Sequence, residues 1–66
     1  MTKFVIYRDV AGQYRWRLVA RNGEKVAASE AYVSKHEAID SAQKVAAWAS
    51  EAQIVDTTTS TFGRFA

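Results

Sequence analysis

The octapeptide Tyr14-Arg15-Trp16-Arg17-Leu18-Val19-Ala20-Arg21 constrains this chain more than any other stretch. Side chains of a β-strand alternate between the two faces of a sheet. Tyr14, Trp16, Leu18 and Ala20 therefore form a buried face, and Arg15, Arg17, Val19 and Arg21 stand opposite. The next two residues, Asn22-Gly23, both tolerate positive φ and predict a tight type I′ hairpin turn. A second strand, Glu24 to Ser29, follows, with Val26 and Ala28 on one face. Upstream, Phe4-Val5-Ile6-Tyr7 is a β-branched and aromatic run that favours a strand. Asp9 and Gly12 supply turn chemistry before Tyr14, so a four- or five-residue loop closes the first hairpin. The expectation is a three-stranded antiparallel meander whose inner face holds Phe4, Ile6, Trp16, Leu18 and Val26.

Ser34-Lys35-His36-Glu37 fits a capping box, in which the serine hydroxyl and the glutamate carboxylate each satisfy a backbone N–H of the other. A helix is predicted from there to about Ala52. Ala38, Ile39, Ala42, Val45, Ala46 and Ala49 make its apolar stripe at three- and four-residue spacing. The small alanines let the helix lie close on the sheet, against Trp16 and Leu18. Trp48 falls at the stripe's edge, only partly covered within one subunit. Gln53 to Thr58 carries β-branched residues without a helical stripe and reads as a fourth strand. The fold class is thus α+β, in the order βββαβ. One domain is expected over residues 1–58. The tail 59–66 is either disordered or pinned to a surface by Phe62 and Phe65.

Length decides what must support such a unit. A domain of 66 residues buries only about 60% of the surface its unfolded chain exposes, and domains this small usually need disulfides, a metal or a partner subunit. The chain has no cysteine and one histidine, His36, which excludes disulfides, thiolate zinc sites and imidazole-rich centres. Self-association is the remaining support. No apolar run approaches the roughly 20 residues that span a bilayer, and the opening residues break into charge too early for a signal peptide. Together with the absent cysteines this predicts a cytoplasmic protein without membrane partners.

With the elements in place, the chain resembles a single copy of the YegP-like family, also known as the DUF1508 or UPF0339 domain. The resemblance is carried by Phe4-Val5-Ile6-Tyr7-Arg8-Asp9, Gly12-Gln13-Tyr14-Arg15-Trp16-Arg17-Leu18, Asn22-Gly23-Glu24, Ser29-Glu30-Ala31-Tyr32 and Ser34-Lys35. It implies a β-rich α+β fold completed by two units, which some members carry in tandem. For a single copy it implies a homodimer, with exchange of C-terminal strands as one form of it. The family transfers architecture and no chemistry. Ala31 stands where the family usually has glycine. If that glycine serves positive φ, Ala31 carries strain or the loop takes another course.

The residues themselves give catalysis little support. His36 sits in the first helical turn, where the helix dipole disfavours its protonated form, and reads as a surface histidine. No two carboxylates are brought together by spacing, and neither GxGxxG nor a P-loop is present. No enzyme, metal or cofactor is expected. The net charge of +2 is unevenly spread. Residues 3–25 hold Lys3, Arg8, Arg15, Arg17, Arg21 and Lys25 against Asp9 and Glu24; residues 26–66 hold three cations against five acids. Arginines beside an aromatic on an exposed sheet could meet phosphates and stack on bases. Lys3, Arg8, Arg15, Arg17 and Arg21 are therefore candidates for a nucleic-acid or interface surface. A low net charge and the lack of a nucleic-acid motif argue for arginines that are solvated or paired with Asp9, Glu24 or Glu30. Trp48 is the candidate dimer anchor, since tryptophan is enriched at interaction hot spots. The function expected is that of a non-catalytic homodimeric interaction module, with weak nucleic-acid binding as the alternative.

Overall fold

A computed structural model describes residues 1–58. Three strands, β1 (Lys3–Arg8), β2 (Tyr14–Val19) and β3 (Lys25–Ala28), form an antiparallel sheet in the order β1-β2-β3, followed by one helix, α1 (Lys35–Ser50). The α+β class and the meander are as expected, and the helix ends two residues earlier than its sequence suggests. Gln53–Thr58 does not form the expected fourth strand: among the described residues only Val55 there has a bridge conformation. Ile54 and Val55 are exposed, so their β-branched side chains lack the packing that makes strand propensity effective. The tail 59–66 lies outside the described residues.

Both hairpins are built the same way. Asp9 N–H donates to the Gln13 carbonyl and Gly12 N–H to that of Asp9, while Ala20 N–H donates to Glu24 and Gly23 N–H to Ala20. Each is a three-residue loop closed by a glycine, at φ 83° in Gly12 and 90° in Gly23. No other described residue has positive φ, so Asn22 does not take the conformation a type I′ turn demands. The Asn-Gly pair instead makes a turn followed by a glycine bulge, with Asn22 Oδ1 accepting from Glu24 N–H.

A second irregularity corrects the inner face. β2 and β3 pair Arg17 with Ala28 and Leu18 with Ala27, but Val19 with Lys25, leaving Val26 as the extra residue. A one-residue slip moves every later side chain to the other face of the sheet. Ala27, not Val26, therefore joins Leu18, and Val26 is 62% exposed.

The helix begins as predicted. Ser34 Oγ accepts from Glu37 N–H at 3.1 Å, and Glu37 Oε1 accepts from Ser34 N–H at 3.3 Å. It packs over β1 and β2 and does not reach β3. The core is consequently small: Trp16, Ala38 and Ala42 are the only buried apolar residues among those described. Alanine at the helix positions lets the indole lie against the backbone, and Phe4 meets it edge-on with ring centroids 5.0 Å apart. Of the predicted stripe, Ala38 and Ala42 are buried and Val45 is half-buried, whereas Ala46 and Ala49 are exposed.

Candidate interaction site

Three surfaces are open to partners. The first is the outer face of the sheet. Tyr7 pairs with Arg15, Val5 with Arg17 and Lys3 with Val19, and directly opposed residues share a face. Lys3, Arg15 and Arg17 are thus brought together. Arg8 opposes Tyr14 on the inner side, its guanidinium 5.4 Å from that ring, and Arg21 lies in the β2–β3 loop. The five candidate cations therefore do not form one surface.

Arg15 and Arg17 are also engaged already. Arg15 Nε donates to Asp9 Oδ2 at 2.8 Å, while Asp9 Oδ1 accepts from the N–H groups of Ala11 and Gln13. The carboxylate closes the loop and pins the arginine across it. The Arg15 hydrogen bond, reinforced by that of Gln13 N–H, holds Asp9 below the usual carboxylate range, and Asp9 in turn raises Arg15. Arg17 stacks over Tyr7 at 4.7 Å, a cation–π contact that orients the guanidinium along the sheet.

The second surface is a groove of about 360 Å³ along one side of the helix, lined by Tyr32, Glu37, Asp40, Ser41, Lys44 and Trp48. Helical spacing explains the lining, because residues three and four apart stack on one face. Tyr32 arrives from the crossover loop. Ser29 Oγ accepts from Trp16 N–H, and Tyr32 exchanges both backbone hydrogen bonds with Tyr14. Ala31 reaches this course without positive φ, so the substitution of the family glycine brings no backbone strain. At the groove's floor Ser41 Oγ accepts from Trp16 Nε1 at 3.0 Å and from Tyr32 Oη at 2.9 Å. One hydroxyl thus ties sheet, loop and helix together. Ser41 was not evident in sequence; the signals pointing to it were a polar residue on the helix's inner side and an indole N–H in need of an acceptor. Above this floor Lys44 Nζ pairs with Asp40 Oδ2 at 3.1 Å, and the Trp48 ring is 63% exposed.

The third surface is apolar. β3 is exposed along its whole length and is an edge strand. Val26, Trp48, Ile54 and Val55 are all open to solvent. Asp56 is held below the usual carboxylate range by the Thr58 hydroxyl and, next, by its N–H. His36 is exposed in the first helical turn. Among the described residues no group of His, Cys, Asp and Glu is arranged to hold a metal, and no helix is long and apolar enough to cross a membrane.

Known proteins share this architecture. A UPF0339 protein of Agrobacterium fabrum is 44% identical over 92% of this chain and 98% of its own length. A UPF0339 protein of Methanosarcina acetivorans is 44% identical over 83% and 95% respectively. The solution structure of a protein from Haloferax volcanii superposes with a TM-score of 0.73 at 35% identity, covering 85% of this chain and 95% of that one. The family model for DUF1508, a domain of unknown function, matches residues 9–56. With a match that runs from the loop of the first hairpin through the helix into the segment after it, this chain belongs to the DUF1508 family.

Proposed function

We propose that this chain is a non-catalytic cytoplasmic interaction module that acts as a homodimer. The observation that carries this reading is the apolar surface that the domain leaves uncovered. The helix stops short of β3, and Val26, Trp48, Ile54 and Val55 are exposed in a chain with almost no core to spare. Exposed apolar side chains such as these are what an interface would cover. The edge strand β3 presents open N–H and C=O groups that another strand can pair with, and Gln53–Thr58 is a β-branched segment that forms no strand among the described residues. Exchange of that segment between two copies satisfies both with chemistry already in the sequence. The thiol-free composition suits a reducing compartment.

Light scattering at micromolar concentration tests this directly. The expected mass is twice the 7.4 kDa of one chain, and Ile54→Lys is expected to shift it toward one chain. A single-chain mass for the unaltered protein overturns the dimer.

The stack of Arg17 on Tyr7, with Lys3 on the same sheet face, favours weak nucleic-acid binding as a second reading. It ranks lower because Asp9 already neutralises Arg15. Oligonucleotide affinity would have to fall steeply with salt and be lost in the Arg15→Ala/Arg17→Ala variant. Unshifted β2 resonances on titration at low salt refute it.

A further inference from the structure

The outer face of the sheet gains a cation from β3. That strand pairs Lys25 with Val19 and Ala28 with Arg17, and directly opposed residues share a face. Lys25 therefore stands on the same side as Lys3, which opposes Val19 from β1. The extra residue Val26 takes up the slip between them, so Ala27 turns inward while Lys25 stays out. Lys3 and Lys25 thus flank Val19, two strand spacings or about 10 Å apart. Arg17 lies two residues along β2, about 7 Å from that row. Val5, Val19 and Ala28 make the floor between the three cations. Among the described residues the ion pairs are Arg15 with Asp9 and Lys44 with Asp40, so no carboxylate there neutralises Lys3, Arg17 or Lys25. The helix is tied to the opposite face, where Ser41 holds Trp16.

Arg17 differs from the two lysines in its shape and its support. Its guanidinium lies over the Tyr7 ring, 4.7 Å from the centroid, in a diagonal cross-strand contact. One side of the guanidinium is taken by the ring, and the other is turned away from it. Guanidinium planes stack on nucleobases, whereas an ammonium group is a point charge suited to phosphate.

We infer that this face takes one nucleotide step of a single-stranded nucleic acid, its base stacked on the open side of the Arg17 guanidinium and its two flanking phosphates at Lys3 and Lys25. The backbone runs along the Lys3–Lys25 row, across the strands, and the base projects from it over the about 7 Å to Arg17. This rests on the second reading above and replaces its five cations with three, of which Lys25 is new. The plane beside two point charges is what favours a nucleotide over other polyanions. An anionic lipid surface would use the charges and leave the plane idle.

Titration of the full chain with labelled oligothymidylate at several salt concentrations tests this. With three contacts, log affinity against log salt is expected to fall with a slope near about −2, roughly 0.7 per cation on a single strand. Lys3→Ala and Lys25→Ala should each flatten the slope by about 0.7, while Lys35→Ala, which removes the same charge from the helix, leaves it as it was. Arg17→Lys keeps the charge and removes the plane, so the slope is expected to hold while affinity falls about tenfold. An abasic oligomer of equal length should bind the unaltered chain about tenfold more weakly than oligothymidylate, and Arg17→Lys should erase that preference. Equal affinity for the two oligomers, or a slope that Lys35→Ala flattens as much as Lys25→Ala, overturns this inference and leaves nucleic-acid binding by charge alone. Absence of binding at low salt overturns the nucleic-acid reading as well. Binding to phosphatidylserine vesicles but not to oligothymidylate does the same and assigns the face to a membrane surface.

Discussion

Trp16 and Trp48 are the same side chain in two regions finished to different degrees. Trp16 is 5% exposed and edge-on to Phe4, with its N–H held by Ser41 of the helix whose Ala38 and Ala42 are buried as well. Trp48, six helical residues beyond Ala42, is 63% exposed on the rim of an open groove. The helix is continuous between them, and the difference comes from what lies beneath it. The helix rests on β1 and β2, while β3, Ala46 and Ala49 are exposed. A sheet of three short strands and one helix of 16 residues can seal one core and leave a second face bare. The second copy proposed above would cover that face.

The contrast can be broken by substitution. Trp16→Ala removes a buried aromatic and leaves a cavity, which typically costs about 3–5 kcal/mol. That is most of the stability of a domain of this length, on the order of 3–10 kcal/mol. Its expected outcome is loss of the cooperative transition in denaturant-monitored circular dichroism. Trp48→Ala, judged by exposure, is expected to change the stability of one subunit by less than about 0.5 kcal/mol. As an interface anchor its loss should weaken self-association by about 30-fold or more, read from the concentration dependence of the mass. Equal destabilisation by the two substitutions would erase the distinction between sealed and open halves.

The smallest expected effect belongs to the sheet's outer rim. Asp9 titrates below its ordinary value of 3.8 because it is bound to Arg15 and to the Gln13 N–H. A carboxyl depressed in the folded state contributes stability that is fully present above its unfolded value and is lost as pH falls through the folded one. Asp9→Asn should therefore melt at a lower temperature than the unaltered chain at pH 7. The gap should close as the pH is taken below about 4. Thermal unfolding of both proteins across that range checks the sign, and a gap that widens toward acid contradicts it.

Much of this was legible in local pattern. The alternation of Tyr14–Leu18 placed Trp16 inward and Arg15 and Arg17 outward, because period-two geometry leaves no choice once the strand is granted. The capping box was legible at Ser34 and Glu37, since both partners lie within one turn. Val26 was misplaced for an equally physical reason. A bulge is a property of two paired strands, and nothing in Lys25-Val26-Ala27-Ala28 alone announces an extra residue. Asn22-Gly23 correctly marked a turn, but glycine alone took positive φ, because the three-residue loop needs it at one position only. Gln53–Thr58 carried strand propensity but forms no strand among the described residues, and propensity acts only through neighbours.

Local sequence was therefore sufficient for the three strands of the meander, the helix start, the loop glycines and the inward place of Trp16, all of which depend on contacts near in sequence or on a strict period. Tertiary structure alone decided that Asp9 claims Arg15, that Tyr7 claims Arg17, that Ser41 joins Trp16 to Tyr32, and that the helix leaves β3 and Trp48 uncovered. These depend on register and on the lie of the helix across the sheet, which are set by residues 25 or more apart meeting at once.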